Sequence, residues 1–295
     1  MHTITYQNPI CNGADPFILL DGGKYYHYAT TSNDGYVVLV SDDLVHWENH
    51  GFCLHKDDVM GEKWFWAPEI LKHRDKYYMA YSADRHLGIA VSDSPLGPFR
   101  QEKKEFLFEE RAIDGHFFVD DDGTVYLYYV RQQECNKIFV AQMNEDLLSV
   151  KFETERLICV GDEAWEQHTP PCRTVEGPFV LKHKGKYYLT YSANDCCDPY
   201  YAVGFATADS PFGPFEKYEK NPILSKTDAV NGTGHHSFTT TKDGKQLICV
   251  YHCHQDLSTV HPRMTCIDPA QFVYDETLGF DILQILGPTV GTQTM

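Results

Sequence analysis

Five times along the chain a turn residue leads into an aromatic and β-branched run: GKYYHYAT from Gly23, DKYYMAYSA from Asp75, GTVYLYYV from Gly123, GKYYLTYSA from Gly185 and GKQLICVYH from Gly244. This is the composition of a strand entered from a tight hairpin. With Lys24, Lys76, Thr124, Lys186 and Lys245 taken as equivalent, successive copies lie 48 to 62 residues apart. A four-stranded propeller blade needs about 40 to 50 residues, so each interval has room for one. A second string recurs in phase, as SDSPLGPF from Ser92 and ADSPFGPF from Ala208, with SDDLVHW from Ser41 and NEDLLSV from Asn144 in the corresponding places. Asn8-Pro9-Ile10 likewise returns as Asn221-Pro222-Ile223. No segment keeps a 3.6-residue apolar period, and no low-complexity linker interrupts the chain. The expectation is an all-β chain, a five-bladed β-propeller forming a single domain over residues 1–295. A pair of sandwiches is the competing arrangement, but strands that cross between sheets seldom preserve a whole-unit period of this length.

Charge narrows the partners. The sequence holds 42 Asp and Glu against 25 Lys and Arg, a formal net charge of -17, which repels a phosphate backbone and argues against a nucleic-acid partner. A neutral sugar meets no such penalty, and 19 Tyr, 17 Phe and 4 Trp supply faces on which sugar rings can lie. The opening MHTITYQNPICNGADPF has neither a basic start nor an apolar run, so the reading is no membrane partner and a cytoplasmic location. In that setting the ten cysteines are expected as reduced, mostly buried thiols, the neighbours Cys196 and Cys197 being poorly placed to bridge. His252-Cys253-His254 with Cys266 lacks the paired C-x-x-C spacing of a zinc site.

The repeat also locates chemistry. In a propeller the innermost strands start near one end of the central axis, so equivalent positions from different blades converge. Ten residues before each reference position stand Ala14, Trp66, Asp114, Glu176 and His235, with Asp15 next to the first. Asp15 is one residue out, a slip that reverses a side chain on an ideal strand, and a bend at Pro16 would restore it. A single Asp is ordinarily a solvated loop residue; three convergent acids are not. ADPFILL, IDGHFF and VEGPFVL set each acid beside apolar or small residues, and burial raises a carboxyl pKa, so one acid can stay protonated while its neighbour is ionised. Cleavage of a glycosidic bond uses that division, one acid protonating the leaving oxygen and one carboxylate acting across the anomeric carbon.

The joint set NGADPF around Asp15, WAPEI from Trp66, IDGHFF around Asp114, VEGPFV around Glu176 and GTGHHSF around His235, with GPT at Gly287 to Thr289, resembles glycoside hydrolase family 43 along nearly the whole chain. The resemblance implies a five-bladed propeller and an inverting mechanism, with Asp15 as general base, Asp114 as the acid that adjusts pKa and orientation, and Glu176 as general acid. Inversion implies a separation of roughly 6.5 to 9.5 Å between Asp15 and Glu176. Trp66 matches an aromatic that shapes the sugar pocket, or is a core Trp; Arg263 matches a late arginine reaching toward the sugar, or is an ion-pair partner. His235 matches a histidine beside a calcium ion in the central channel, with water filling most of the ion's shell and His236 the adjacent alternative. The implied substrate is a short oligosaccharide, cleaved by an exo-acting β-xylosidase, α-L-arabinofuranosidase or both; an endo-arabinanase and a non-catalytic sugar-binding propeller are the alternatives. Retaining fructan hydrolases share the architecture, but their N-D-P-N start is absent.

Overall fold

The computed structural model describes residues 4–168 and 171–294. Each repeated aromatic run is the second strand of an antiparallel sheet, and five such sheets stand around an axis as blades. Blade 1 comprises Ala14–Asp21, Lys24–Thr30, Gly35–Ser41 and Glu48–His55. Blade 2 has three strands, Trp66–His73, Lys76–Ala83 and His86–Ser92, with only an isolated bridge from Val91 to Arg100 where a fourth was expected. Blade 3 runs through Ala112–Val119, Val125–Gln132, Asn136–Gln142 and Arg156–Cys159, and blade 4 through Val175–His183, Lys186–Ala193, Ala202–Ala208 and Glu216–Lys217. Blade 5 contains Gly234–Thr240, Leu247–Cys253 and Met264–Asp275, and its long third strand pairs at one end with Cys11–Asn12 and at the other with Phe280–Ile285. The N-terminal segment thus closes the ring. Among the described residues no helix is long and apolar enough to cross a membrane.

The secondary strings fasten neighbouring blades. Tyr28 and Tyr128, both fully buried, donate their hydroxyls to the carbonyls of Pro95 and Pro211, the prolines of SDSP and ADSP. A buried phenol left unpaired costs about 1–3 kcal/mol, which these contacts avoid. Asn8 and Asn221 act alike: each side-chain amide takes both backbone groups of a strand residue, Ile267 for Asn8 and Phe205 for Asn221. Each serves as a one-residue extra strand on its blade.

All five innermost strands break register once, between Ala14 and Phe17, Trp66 and Glu69, Ile113 and His116, Glu176 and Phe179, and Gly234 and Ser237. Such a bulge re-aims side chains that an ideal strand would alternate. At its centre the backbone turns left-handed, at Asp15 (φ 51°), Ala67 (44°), Asp114 (56°), Gly177 (55°) and His235 (44°). These five residues all line the central channel. The bend expected at Pro16 is therefore common to every blade, and the offset lies elsewhere: Asp15, Asp114 and His235 occupy the bulge, whereas Trp66 and Glu176 precede it by one. Hairpin length explains this. Blades 1, 2 and 4 join their first two strands by two-residue turns (Gly22-Gly23, Arg74-Asp75, Lys184-Gly185), while longer loops follow Val119 in blade 3 and Thr240 in blade 5.

Candidate active site

A left-handed φ costs a non-glycine residue on the order of 1–3 kcal/mol and persists only where the surroundings hold it. The neighbouring blade supplies that hold. The Ala67 amide donates to Thr30 Oγ1 (2.9 Å), that of Asp114 to Ser82 Oγ (3.1 Å) and that of His235 to Ser192 Oγ (2.8 Å), while the Asp15 amide meets His252 Nδ1 at 3.1 Å. Each partner is the last or next-to-last residue of the second strand of the preceding blade. In the fourth position the partner is an acid of the site itself, Gly177 N–H donating to Asp114 Oδ2 at 3.3 Å. A Cβ at Gly177 would lie 3.3 Å from the His235 ring, tighter than an ordinary contact, and at a left-handed φ.

Asp15 is buried against one guanidinium, a hydroxyl and two imidazoles. Arg263 grips both its oxygens, Nη1 to Oδ1 at 2.7 Å and Nη2 to Oδ2 at 3.3 Å, and Thr30 Oγ1 donates to Oδ2 at 2.7 Å. His235 Nδ1 and His252 Nδ1 lie 3.5 and 3.3 Å from Oδ1. Burial alone would raise this pKa; the Arg263 guanidinium and the two imidazoles more than offset it and hold the carboxyl well below the usual range.

Glu176 has neutral partners. Tyr201 donates its hydroxyl to Oε1 (3.0 Å) and Asn136 its amide to Oε2 (2.8 Å). Burial outweighs these two bonds, and with the negative field of Asp15 and Asp195 it pushes Glu176 up to about 7. Asp114 is raised well above its ordinary value by burial and by the charges of Glu176 and Asp15. Asp114 and Glu176 therefore retain a proton between them to neutrality, beside an ionised Asp15. One site holds a ready proton acceptor and a ready proton donor, the requirement for acid–base cleavage of a bond between them.

The other expected residues fall close by. Arg263 is the ion-pair partner of Asp15. Trp66 is half-buried against the hydrophobic core and stacks on Trp64, with ring centroids 5.9 Å apart and an interplanar angle of 20°. Trp64 was not singled out from the sequence, although 39% of it is exposed and the run WFW displays it. Thr30, His252, Tyr201 and Asn136 were missed too; they lie outside the five motifs, and only contact reveals them. Glu69, the acid of WAPEI, is spent on structure, accepting from His116 Nδ1 and from the Phe117 amide.

Around His235 the channel leaves about 20 Å³, room for about one water-sized occupant. His236 Nδ1, on the same wall, is buried without a hydrogen-bond partner. A cation beside His235 and the carboxylates of Asp15 and Asp114 suits this donor set; one carrying a complete water shell needs the channel to widen. The histidine–cysteine string of blade 5 is dispersed, with His252 at Asp15, Cys253 Sγ 3.5 Å from Cys266 Sγ, and His254 Nε2 3.0 Å from the Cys196 carbonyl oxygen.

Comparison with known proteins finds similarity along nearly the whole chain. The family model described as glycosyl hydrolases family 43 matches residues 6–278. The chain is 32% identical to β-D-galactofuranosidase xynD of Aspergillus niger, over 90% of this chain and 82% of that protein. It is also 32% identical to a β-xylosidase of Xylanibacter ruminicola, over 81% of this chain and 87% of the relative. A crystal structure titled endo-1,4-β-xylanase from Bacteroides thetaiotaomicron superposes with a TM-score of 0.88 at 38% identity, covering 97% of this chain and 98% of the other.

Proposed function

Because the chain belongs to glycosyl hydrolase family 43, we propose that this glycoside hydrolase is an inverting, exo-acting enzyme that releases xylose, L-arabinose or both from short oligosaccharides. The observation that carries the reading is the opposed protonation of two acids in one site, Asp15 held ionised by Arg263 and Glu176 held protonated up to about pH 7. In the proposed reaction Asp15 takes a proton from the attacking water as its oxygen adds to the anomeric carbon. Glu176 gives its proton to the departing glycosidic oxygen from the opposite side. Asp114, hydrogen-bonded to the amide of the residue after Glu176, orients that acid. Trp66 and Trp64 offer stacked aromatic surface for a sugar ring.

The β-xylosidase relative supports the xyloside half of this proposal. The galactofuranosidase relative acts on a furanoside, which supports an arabinofuranoside as the other half. The structure titled endo-xylanase favours a second reading, internal cleavage of a polymer. Aryl β-D-xylopyranoside and aryl α-L-arabinofuranoside should be hydrolysed to monosaccharide, while linear arabinan and xylan should not be shortened from within. Rapid release of internal fragments would replace the exo reading. Following the first-released anomer by proton NMR tests inversion, and initial retention of configuration would refute it.

A calcium ion beside His235 is also proposed. His235 would hold it, and its charge would favour the ionised forms of the nearby acids. Removal of bound metal by a chelator should lower the rate and calcium should restore it; full activity after verified metal removal would exclude this part.

A further inference from the structure

The loop that follows the second strand of blade 4 carries a group of ligating side chains that the hydrolysis does not use. The ligand atoms of Asp195, Cys196 and Cys197 all lie within 4.8 Å of one another. The Cys196 thiol and His261 of the blade 5 loop both act on the Cys197 sulfur and favour its ionised form. The two sulfurs and the carboxylate are three donors within reach of one thiophilic divalent ion. Asp195 and Cys197 are exposed and Cys196 is half-buried, so an ion has access from solvent.

The loop is held in shape without any ion. Asn194 Nδ2 donates to the carbonyls of Trp165 and Tyr200, its Oδ1 accepts from the His168 amide, and the Cys197 amide donates to Asp195 Oδ1. His254 is hydrogen-bonded to the Cys196 carbonyl oxygen, and Gly232 N–H donates to that of Pro199. A framework fixed from both sides lowers the ordering cost of binding. Both strands of the site lead to the acids: the loop ends at Tyr201, which donates to Glu176, and His261 stands two residues before Arg263, which grips Asp15.

We propose that Asp195, Cys196 and Cys197, with His261 beside them, form a binding site for a thiophilic divalent cation such as Zn²⁺ at the rim of the catalytic pocket. Binding requires the thiols to give up their protons to solvent, leaving thiolate ligands and no change of oxidation state.

Reduced, metal-free protein titrated with Co²⁺ should develop a thiolate-to-cobalt charge-transfer band in the near ultraviolet that saturates at one equivalent and is displaced by Zn²⁺. Cys197→Ser should weaken the band and the folded Cys196→Ser, Cys197→Ser double variant should lack it. No band in the wild type, or an unchanged band in the double variant, would overturn the site. The binding titration stands whatever sugar the enzyme cleaves.

Discussion

The inner strands of blades 1 and 4 have the same backbone and opposite chemistry. Both bulge at a left-handed residue whose amide is satisfied from the preceding blade. Blade 1 puts its acid on the bulge, where Arg263, His235 and His252 surround it. Blade 4 puts glycine there and its acid one residue earlier, among Tyr201 and Asn136. A displacement of one residue thus moves a carboxyl from a cationic nest to a neutral one. The shared bend brings the acids together; the side chains from adjoining blades decide which of them carries a proton.

The sharpest way to break this comparison is to remove each acid and vary the leaving group. Asp15→Ala and Glu176→Ala should each lower kcat on an oligosaccharide by about 10²–10⁴-fold or more with the fold intact. On an aryl glycoside whose phenol leaves unaided, Glu176→Ala should recover much of its rate and Asp15→Ala should not. Equal recovery in both, read from steady-state kinetics, would dissolve the assigned asymmetry. Arg263→Met comes next. Without the guanidinium the Asp15 pKa rises, so the acidic limb of the kcat/KM profile should move to higher pH, with a loss of about 10–100-fold at low pH. An unmoved acidic limb would show that the imidazoles suffice to hold Asp15 ionised.

Much of this was legible in the sequence because blades repeat: five aromatic second strands set the period, and the acids precede them by nearly constant counts. The count failed where hairpins differ. Thr124 lies in a loop after Val119, while Lys24, Lys76 and Lys186 start strands directly after two-residue turns. The reference positions were therefore not equivalent, and Asp15 looked displaced when Trp66 and Glu176 were. The partners that set protonation were less legible still. Tyr201 and Asn136 reach Glu176 from 25 and 40 residues away, and no local pattern distinguishes them from the many tyrosines and asparagines that face solvent or core.

The bulge itself can be tested at Gly177, where the comparison predicts a cost in stability before one in chemistry. Gly177→Ala places a side chain at φ 55° and 3.3 Å from His235, and should destabilise by about 1–3 kcal/mol, seen as a lower Tm. The corresponding change at the other bulge, Asp15→Ala, adds no atom and should lower Tm less than it lowers rate. A Gly177→Ala protein as stable as the wild type would mean that the bend is not fixed as described.

The smallest effect sharpens the account of Glu176. Tyr201 and Asn136 donate to the carboxyl and stabilise its ionised form, so both oppose the burial that pushes it up to about 7. Tyr201→Phe removes one donor and little volume. The pKa should therefore rise, moving the basic limb of the pH–rate profile upward by up to about one unit, since such a bond to a charged group is worth about 1.5–3 kcal/mol before water replaces it. Activity above pH 7 should grow relative to the optimum, because the proton donor survives further into the alkaline range. A basic limb that moves down, or a limb that follows Asn136→Ala but ignores Tyr201→Phe, would place the controlling contact on the Asn136 side of Glu176 and leave the hydroxyl a packing role.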